Sequence, residues 1–416
     1  MAPLPAHRVA GLYLAQRVRF GMKFGLETMR ALVAEMGHPE RACPALLVAG
    51  TNGKGSVVAY CDSVLRASGL RTGRYTSPHL VRVNERIAVG GRAITDGDLA
   101  RAVREVKDAA GRLVRRGVLE AHPTYFEVLT AAAFAHFRRR RVEVALLEVG
   151  LGGRLDATNV SEPLASAVVS VALDHEVYLG RTLAAIAREK AGVMRPGRAT
   201  VIGPLPAEAR RAVLARARAI GARVVEAEGR RLAVSLRPLP GAHQRDNLRV
   251  AIRLLEEARR AGVPVDLRAL PGAIARTRWP GRLEHVAGDP PLLLDGAHNP
   301  AGAHALAAHL AAGPPYVLLF GAMADKDLGG LARELFPRAT QIVLTRPRVA
   351  RAATTDELAR RASPLARHAH REPSVARALA LARRLARAQG ATVVVAGSLY
   401  LVGAVEAILE RERMRP

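Results

Sequence analysis

The stretch ALLVAGTNGKGS, residues 45–56, joins a short apolar run to a glycine-rich turn and then to the start of a helix. Buried strands of parallel sheets have continuous apolar sequences, and a turn from such a strand into a helix presents backbone N–H groups to an anion. Lys54 lies in the turn and can neutralise phosphate charge. The spacing departs from the general P-loop, because Val48 stands at the first glycine position and Gly55 separates Lys54 from Ser56. A plain glycine turn is the alternative interpretation.

Similar apolar runs alternate with helical segments along the rest of the chain, which favours a mostly parallel sheet with helices on both faces. The runs predicted as strands are 142–150, 166–173, 291–298, 316–323, 341–347 and 392–398. Helices are predicted from about Ser56 to Ser68 and over 182–194. The pattern restarts near residue 290, and 416 residues favour more than one domain. We therefore expect an α/β protein with domains at 1–286 and 287–416, and residues 283–291 are the best candidate for a linker.

The formal charge of +26 suggests a nucleic-acid partner, but its composition does not support one. Only five of the 63 cationic side chains are lysines, the arginines are scattered along helices, and aromatic residues make up 4% of the chain, too few for base stacking. Solvated helix faces and attraction of small anionic substrates account for the same charge. We expect no nucleic-acid partner.

The cysteines, the N-terminal residues and one stretch without charged residues bear on the compartment of the protein and on membrane association. Two cysteines, Cys43 and Cys61, cannot form a disulfide framework, and the first twenty residues contain no apolar secretory segment. Residues 296–324 carry no Asp, Glu, Lys or Arg, but they contain three histidines and a Gly-Pro-Pro break, which favours a helix and a buried strand over a membrane span. The expected location is the cytoplasm.

Acidic or histidine side chains follow two of the predicted strands. In open parallel sheets, ligand sites form at the carboxyl ends of the strands. Glu148 ends one apolar run and precedes a glycine-rich loop, so its carboxylate is a candidate Mg²⁺ ligand; a solvated strand end is the alternative. Asp174 and His175 end another run. A histidine there is often a structural hydrogen-bonding group, unless it shares a crevice with Glu148 and the phosphate loop.

Ten motifs in order across nearly the whole chain resemble the folylpolyglutamate synthase/dihydrofolate synthase family, a branch of the Mur-ligase-type ATP-dependent amide ligases. They are GTNGKGS (50–56), YTSPHL (75–80), TYFE (124–127), LLEVGLGGRLDATN (146–159), ALDH (172–175), REKAG (188–192), RDN (245–247), WPGR (279–282), DGAHNP (295–300) and GSLYLVG (397–403). The resemblance implies a P-loop domain followed by a smaller Rossmann-like C-terminal domain. It also implies ligation of L-glutamate to a dihydropteroate or folate carboxylate through an acyl phosphate, with ATP, two Mg²⁺ sites and a monovalent cation.

The resemblance assigns site residues by position. ATP contacts match Thr51, Asn52, Gly53, Lys54, Gly55, Ser56, Asn247, Arg282 and Asp295. Metal ligands match Ser77, Glu148, His175 and Lys190, of which Lys190 matches a lysine carbamylated by CO₂. Substrate contacts match Lys23, Phe24, Gly25, Leu26, Thr124, Tyr125, Phe126, Glu127, Leu155, Asp156 and Ala157. Lys54, His175 and Lys190 are the predicted catalytic residues.

Alternatives stay open on the sequence alone. Lys190 can instead be a helix-end cation that pairs with Glu189 or with the helix C-terminus. A cell-wall amide ligase shares the shorter GTNGK stretch, but this sequence has no additional domain ahead of the phosphate loop. A basic P-loop protein that binds nucleic acid is a rival of another class. We expect a monomer that acts on small molecules without a membrane, as a dihydrofolate synthase, a folylpolyglutamate synthase or both.

Overall fold

The structure is a computed structural model that describes residues 6–18, 25–228, 239–311 and 313–414. Lys23 and Phe24 lie outside the described residues. The described chain falls into two compact units. The first contains the residues up to Ser77, those from Val83 to residue 228, and Asp246–Thr277; the second contains Pro78–Arg82, residues 239–245, and those from Arg278 onward.

The first unit is built on an eight-stranded sheet, ordered β4-β3-β2-β5-β1-β6-β7-β8. All neighbouring strands are parallel except the pairs β2–β3 and β3–β4, which are antiparallel. Its strands are β1 (Ala45–Ala49), β2 (Thr72–Tyr75), β3 (Ile87–Val89), β4 (Arg92–Ala93), β5 (Val144–Glu148), β6 (Ala165–Val168), β7 (Ala199–Ile202) and β8 (Arg223–Glu226).

Helices pack on this sheet, and β1 and β5 are buried along their whole length, as a parallel sheet covered on both faces requires. The helices are α1 (Ala6–Val18), α2 (Glu27–Glu35), α3 (Lys54–Ala67), α4 (Asp96–Arg115), α5 (Tyr125–Arg139), α6 (Glu176–Leu179), α7 (Leu183–Lys190), α8 (Ala207–Ile220), α9 (Ala242–Arg260) and α10 (Leu270–Arg276).

The second unit has a six-stranded sheet, ordered β13-β12-β11-β14-β10-β9, in which only the edge pair β9–β10 is antiparallel. Its strands are β9 (Glu284–Val286), β10 (Leu292–Leu294), β11 (Tyr316–Phe320), β12 (Ala339–Leu344), β13 (His370–Arg371) and β14 (Thr392–Ala396). Its helices are α11 (Pro300–Leu310), α12 (Leu328–Leu335), α13 (Thr355–Arg361), α14 (Val375–Gln389) and α15 (Leu399–Arg413).

Both faces of this second sheet are covered. Side chains alternate along β10, so Leu293 packs into one apolar cluster while Leu292 and Leu294 pack into the other. The predicted mixed α/β class with mostly parallel sheets is confirmed. None of the helices in the described residues is both long enough and apolar enough to cross a membrane.

Several predicted boundaries differ from the structure. The run 166–173 was expected to be one strand, but β6 ends at Val168. Val169 N still donates to Ala49 O at the end of β1, and Ser170 O then accepts from Thr51 N in the phosphate loop. The helix predicted over 182–194 ends at Lys190, and α3 begins at Lys54 instead of near Ser56. Residues 283–291, the predicted linker, include the edge strand β9.

Candidate active site

The phosphate loop occupies residues 50–53, between the end of β1 and the start of α3. Gly53 caps α3 with φ +82°, in the left-handed region that favours glycine. A Cβ at Gly53 would overlap the side-chain oxygen of Asn247 and would lie 2.9 Å from Cγ1 of Val169. Position 53 therefore needs glycine for both its conformation and its space. The same contact brings Asn247, a predicted ATP contact, against the loop.

A second loop, residues 169–172 after β6, holds the phosphate loop in shape. Thr51 N and Asn52 N donate to the backbone and side-chain oxygens of Ser170, each at 2.9 Å. The Ser170 hydroxyl donates back to Asn52 O, also at 2.9 Å. The Thr51 hydroxyl donates to Ala172 O at 3.2 Å and accepts from Ala172 N at 3.0 Å. The side chain of Thr51 thus shapes the loop, and Ser170 is a site residue that sequence reasoning missed.

Lys54 lies at this loop, near enough to Lys190 for its charge to act on that amine. Lys54 Nζ donates to the carbonyl oxygens of Gly50 and Thr51 at 2.9 and 3.1 Å, so the ammonium group lies over the loop. Lys190, at the end of α7, is only 3% exposed. Burial and then the charge of Lys54 lower the pKa of Lys190 to about 7, while Asp174 acts in the opposite direction. A large fraction of Lys190 is therefore neutral near pH 7.

The surroundings of Lys190 do not match a solvated helix-end cation. Its neighbour Glu189 pairs with Arg154, whose Nη2 lies 2.9 Å from the Glu189 carboxylate. Lys190 itself points into the protein, where an ordinary ammonium group is costly. A buried amine with a lowered pKa is a chemically reactive group, which agrees with the predicted catalytic position.

Glu148 and Ser77, two predicted metal ligands, meet at the carboxyl ends of β5 and β2. Ser77 N donates to Glu148 Oε2 at 3.1 Å, and Glu148 is buried. The two strands are neighbours in the sheet, so the backbone order alone brings these residues together. A buried carboxylate beside a serine offers the oxygen ligands that Mg²⁺ prefers.

Asp174 and His175 follow the loop that supports the phosphate loop. His175 has φ 53° at the start of α6, and its backbone N donates to Asp174 Oδ1 at 2.9 Å. In the described residues no three His, Cys, Asp or Glu side chains form a group able to hold a metal ion. The predicted ligands include a serine and a lysine, so they are not a group of that composition. Joint metal ligation by Ser77, Glu148, His175 and Lys190 stays a prediction.

The four predicted substrate contacts at α5 divide into two pairs. Thr124 and Glu127 form a capping box: Thr124 N donates to Glu127 Oε2 at 2.7 Å, and Glu127 N donates to Thr124 Oγ1 at 3.3 Å. These two side chains therefore serve the helix. Tyr125 and Phe126 are only half-buried. The guanidinium carbon of Arg86 lies 5.3 Å from the centre of the Tyr125 ring. Arg86 is buried, and sequence reasoning did not identify it.

Asp156, another predicted substrate contact, organises the glycine-rich loop after β5. Its carboxylate accepts from Gly150 N, Leu151 N and Thr158 N, and from the Thr158 hydroxyl, at 2.6–3.0 Å. Burial raises the pKa of Asp156, and these donors act against that rise. A Cβ at Gly150 would lie 2.6 Å from the Phe126 ring, so this loop packs directly on α5. Phe126 and the loop that contains residues 155–157 thus lie against each other.

The remaining predicted substrate residues lie at different depths. Gly25 precedes α2 with φ +140°, while the side chain of Leu26 is buried in the core. Leu155 is half-buried and Ala157 is buried.

Arg282 and Asp295 come together within the second unit, at the carboxyl end of β10. Asp295 accepts from Leu283 N at 2.9 Å and from Ala297 N at 2.8 Å. Gly296 leaves the space for the guanidinium group of Arg282, since a Cβ there would overlap Arg282 Nη1. Asn299 then caps α11 by accepting from Gly302 N, with Pro300 as the first helical residue.

Comparison with known proteins identifies consistent relatives. Residues 281–399 match the family described as Mur ligase, glutamate ligase domain. The dihydrofolate synthase/folylpolyglutamate synthase of Bacillus subtilis is 34% identical over 357 residues, 79% of this chain and 83% of that protein. A probable bifunctional folylpolyglutamate synthase/dihydropteroate synthase of Halobacterium salinarum is 40% identical over 375 residues, 84% of this chain. This chain spans only 45% of that archaeal relative's length.

Two solved structures extend the comparison. Mycobacterium tuberculosis folylpolyglutamate synthase, complexed with ADP and AMPPCP, aligns with a TM-score of 0.89 at 30% identity over 97% of this chain and 98% of that one. The bifunctional folylpolyglutamate synthase/dihydrofolate synthase with Mn, AMPPNP and L-glutamate bound aligns with a TM-score of 0.84 at 29% identity, over 96% and 98% of the two chains. The similarity therefore extends over both units of the fold.

Proposed function

The chain belongs to the folylpolyglutamate synthase/dihydrofolate synthase family, and we propose that it joins the amine of L-glutamate to a dihydropteroate or folate carboxylate, using ATP. The observation that carries this proposal is the placement of Lys54 over the phosphate loop beside the buried, low-pKa amine of Lys190. Nucleotide, divalent metal and L-glutamate in the related complexes support the same set of ligands.

The residues suit a two-step reaction. A carboxylate is a poor electrophile toward an amine, so ATP first phosphorylates it, and the amine then displaces phosphate from the acyl phosphate. The backbone N–H groups at the start of α3 and the Lys54 ammonium group face the charge that develops on the transferred phosphoryl group. Asn247 packs on Gly53 and fixes the turn of the loop.

The metal site uses residues that fit a hard cation. Glu148 and Ser77 would hold one Mg²⁺, and His175 with a carbamate on Lys190 would hold a second. The metals would neutralise phosphate charge and orient the oxygens during transfer. Carbamate formation requires a primary amine in its neutral form. Lys190 provides it, since a large fraction of this amine is neutral near pH 7.

We also propose the contacts for the acyl substrate and for ATP, together with the domain boundaries, the oligomeric state and the location of the protein. Tyr125, Phe126 and residues 155–157 would contact the pterin part of the substrate, with Lys23 to Leu26 as a further contact segment. Arg282, near the boundary between the domains, and Asp295, in the C-terminal domain, would contact ATP. We propose functional domains at 1–286 and 287–416, a monomer in the cytoplasm, a monovalent cation as an additional cofactor, and no nucleic-acid or membrane partner.

The deciding experiment supplies purified protein with Mg²⁺, ATP, labelled L-glutamate and either dihydropteroate or tetrahydrofolate. We expect labelled amide product and ADP with at least one acyl substrate, and ¹⁸O placed in the substrate carboxylate should appear in the released phosphate. Lys54→Ala should lower the rate by about 10²–10³. Arg104→Ala, which removes an exposed cation from α4, is the matched control and should keep the rate.

Three results would contradict the proposal. Formation of AMP in place of ADP excludes the acyl phosphate, and wild-type turnover in Lys54→Ala excludes the phosphate-loop assignment. Turnover of a nucleotide-linked cell-wall precursor, or salt-dependent binding of single-stranded DNA without ligase activity, would favour the rival functions.

A further inference from the structure

A pocket of about 480 Å³ lies on the first unit, and none of its lining residues is among the site residues assigned above. We call it the α4 pocket, and its lining residues are Lys107, Asp108, Gly111, Arg112, Arg115 and His122. Its volume falls in the range of small-ligand sites. Asp108 is the one carboxylate among three cationic side chains, so the pocket has an excess of positive charge.

The cations of the pocket differ in how they are neutralised. Arg112 Nε lies 2.6 Å from Glu35, and Arg116 on the same helix shares that carboxylate. In the part of the chain that the structure describes, neither Lys107 nor Arg115 makes an ion pair. Lys107 Nζ instead lies 5.8 Å from the centre of the Tyr13 ring, which leaves its charge available to an anion.

Tyr13 also fixes the orientation and the tautomer of His122. The Tyr13 hydroxyl lies 3.0 Å from His122 Nδ1, and burial raises the pKa of Tyr13 to about 12, so the phenol keeps its proton. Burial and the charges of Arg17 and Lys107 lower the pKa of His122, so the imidazole is neutral near pH 7. A buried hydroxyl needs an acceptor, so Tyr13 donates to Nδ1 and the ring proton sits on Nε2. His122 therefore offers an N–H donor.

We propose that the α4 pocket binds a multiply charged anion whose carboxylate or phosphate oxygens are closely spaced. Lys107, Arg115 and the Nε2–H of His122 are donors without acceptor capacity, which is the set that such an anion requires. His122 lies two residues before Thr124, so an anion held there sits beside the N-terminus of α5 and the proposed acyl-substrate contacts. Both a γ-linked oligoglutamate chain and inorganic pyrophosphate have this chemistry.

Isothermal titration calorimetry at low salt tests the pocket without turnover. The probes are γ-linked triglutamate and inorganic pyrophosphate, each titrated with excess ADP present so that the phosphate loop is occupied in every variant. The double variant Lys107→Gln/Arg115→Gln should bind the preferred probe about tenfold more weakly than wild type, since each partly exposed charge contributes a factor of a few. Arg104→Gln removes one exposed cation from the same helix outside the pocket and should bind like wild type.

Tyr13→Phe gives an independent measurement, because it removes the donor that holds the His122 tautomer and leaves every charge in place. It should weaken probe binding several-fold, with its circular dichroism spectrum unchanged. Preference for triglutamate assigns the pocket to a glutamate chain, and preference for pyrophosphate assigns it to a phosphate ligand. No binding of either probe, or an equal loss in Arg104→Gln and the double variant, would overturn the proposal, whether or not the protein proves to be a ligase.

Discussion

Lys54 at the start of α3 and Lys190 at the end of α7 lie close enough for the charge of Lys54 to lower the pKa of Lys190. Two like charges at one site, one of them buried, are unfavourable unless one amine gives up its proton. The arrangement therefore makes Lys190 an amine of which a large fraction is neutral near pH 7. This relationship links the phosphate loop to the proposed carbamate.

Lys190→Arg should be nearly inactive and should stay so when bicarbonate is added. Arginine keeps the charge, but it has no primary amine to react with CO₂ and does not lose its proton. Lys190→Ala should recover part of its activity when a short-chain carboxylate such as acetate is supplied, because the anion can fill the vacated position. Steady-state ligation rates with and without each additive measure both effects.

Wild-type activation should also depend on bicarbonate and rise with pH between about 6 and 8, since only the neutral amine forms the carbamate. A crystal grown near neutral pH should show the additional density at Lys190 Nζ. Bare amine density together with an active Lys190→Arg enzyme would exclude the carbamate role.

Gly53→Ala should damage the phosphate loop through two effects at once. The residue has φ +82°, and the new Cβ would collide with Asn247 and Val169. Strain of about 1–3 kcal/mol at this turn predicts a loss of about 5–150-fold in kcat/KM for ATP. Gly69→Ala is a close control, because Gly69 has φ +85° and nothing lies within 4 Å of the new Cβ.

Gly69→Ala should lower thermal stability through backbone strain alone and keep its kcat/KM for ATP. If both variants lose activity equally, the collision with Asn247 is not what shapes the nucleotide site.

Asp295→Asn should weaken nucleotide binding by about tenfold, which corresponds to one lost charge-assisted hydrogen bond. Asparagine keeps an acceptor oxygen for one of the two N–H groups, Leu283 N or Ala297 N, so the turn after β10 should be disturbed less than by alanine, which leaves both without their partner. Calorimetric titration with AMPPNP measures the affinity. Asp289→Asn, at an exposed position in the same unit, is the control.

Unchanged affinity in Asp295→Asn would show that Asp295 only ties residues 283 and 297 together. No ATP contact would then be assigned within residues 287–416, and Arg282 would be the remaining candidate in the second unit.

The sequence predicted features that depend on neighbouring residues. Continuous apolar runs located the central strands, and residues typical of N-caps, Asn299 and Thr354, stand at the starts of α11 and α13. The glycine-rich turn located the phosphate loop because its strand and helix adjoin it in the chain. These signals lie within a few residues of one another, so no tertiary contact was needed to recognise them.

Features set by distant contacts were not predictable in the same way. Ser170 holds the phosphate loop from 118 residues away, and Arg86 stacks on Tyr125 from another part of the sheet. The resemblance assigns Glu127 and Asp156 to substrate contact, but it does not indicate that Glu127 also caps α5 or that Asp156 also closes the loop after β5. A motif fixes which residues occur, while the tertiary contacts decide which of their atoms remain free.

His136 on α5 should make stability fall in mild acid. The side chain is buried, its Nδ1 has no hydrogen-bond partner among the described residues, and burial lowers its pKa to about 4. Below the unfolded-state pKa of about 6.5 the unfolded chain binds a proton that the native protein does not, so the free energy of unfolding decreases as pH falls from about 6.5 to 4. Urea unfolding of wild type and His136→Leu should therefore give a constant difference above pH 7, and wild type should lose about 2 kcal/mol relative to the variant by pH 4.5. Subtracting the two curves removes every other titrating group, so a difference that does not change between pH 7 and pH 4.5 would show that the buried imidazole accepts its proton in the native state.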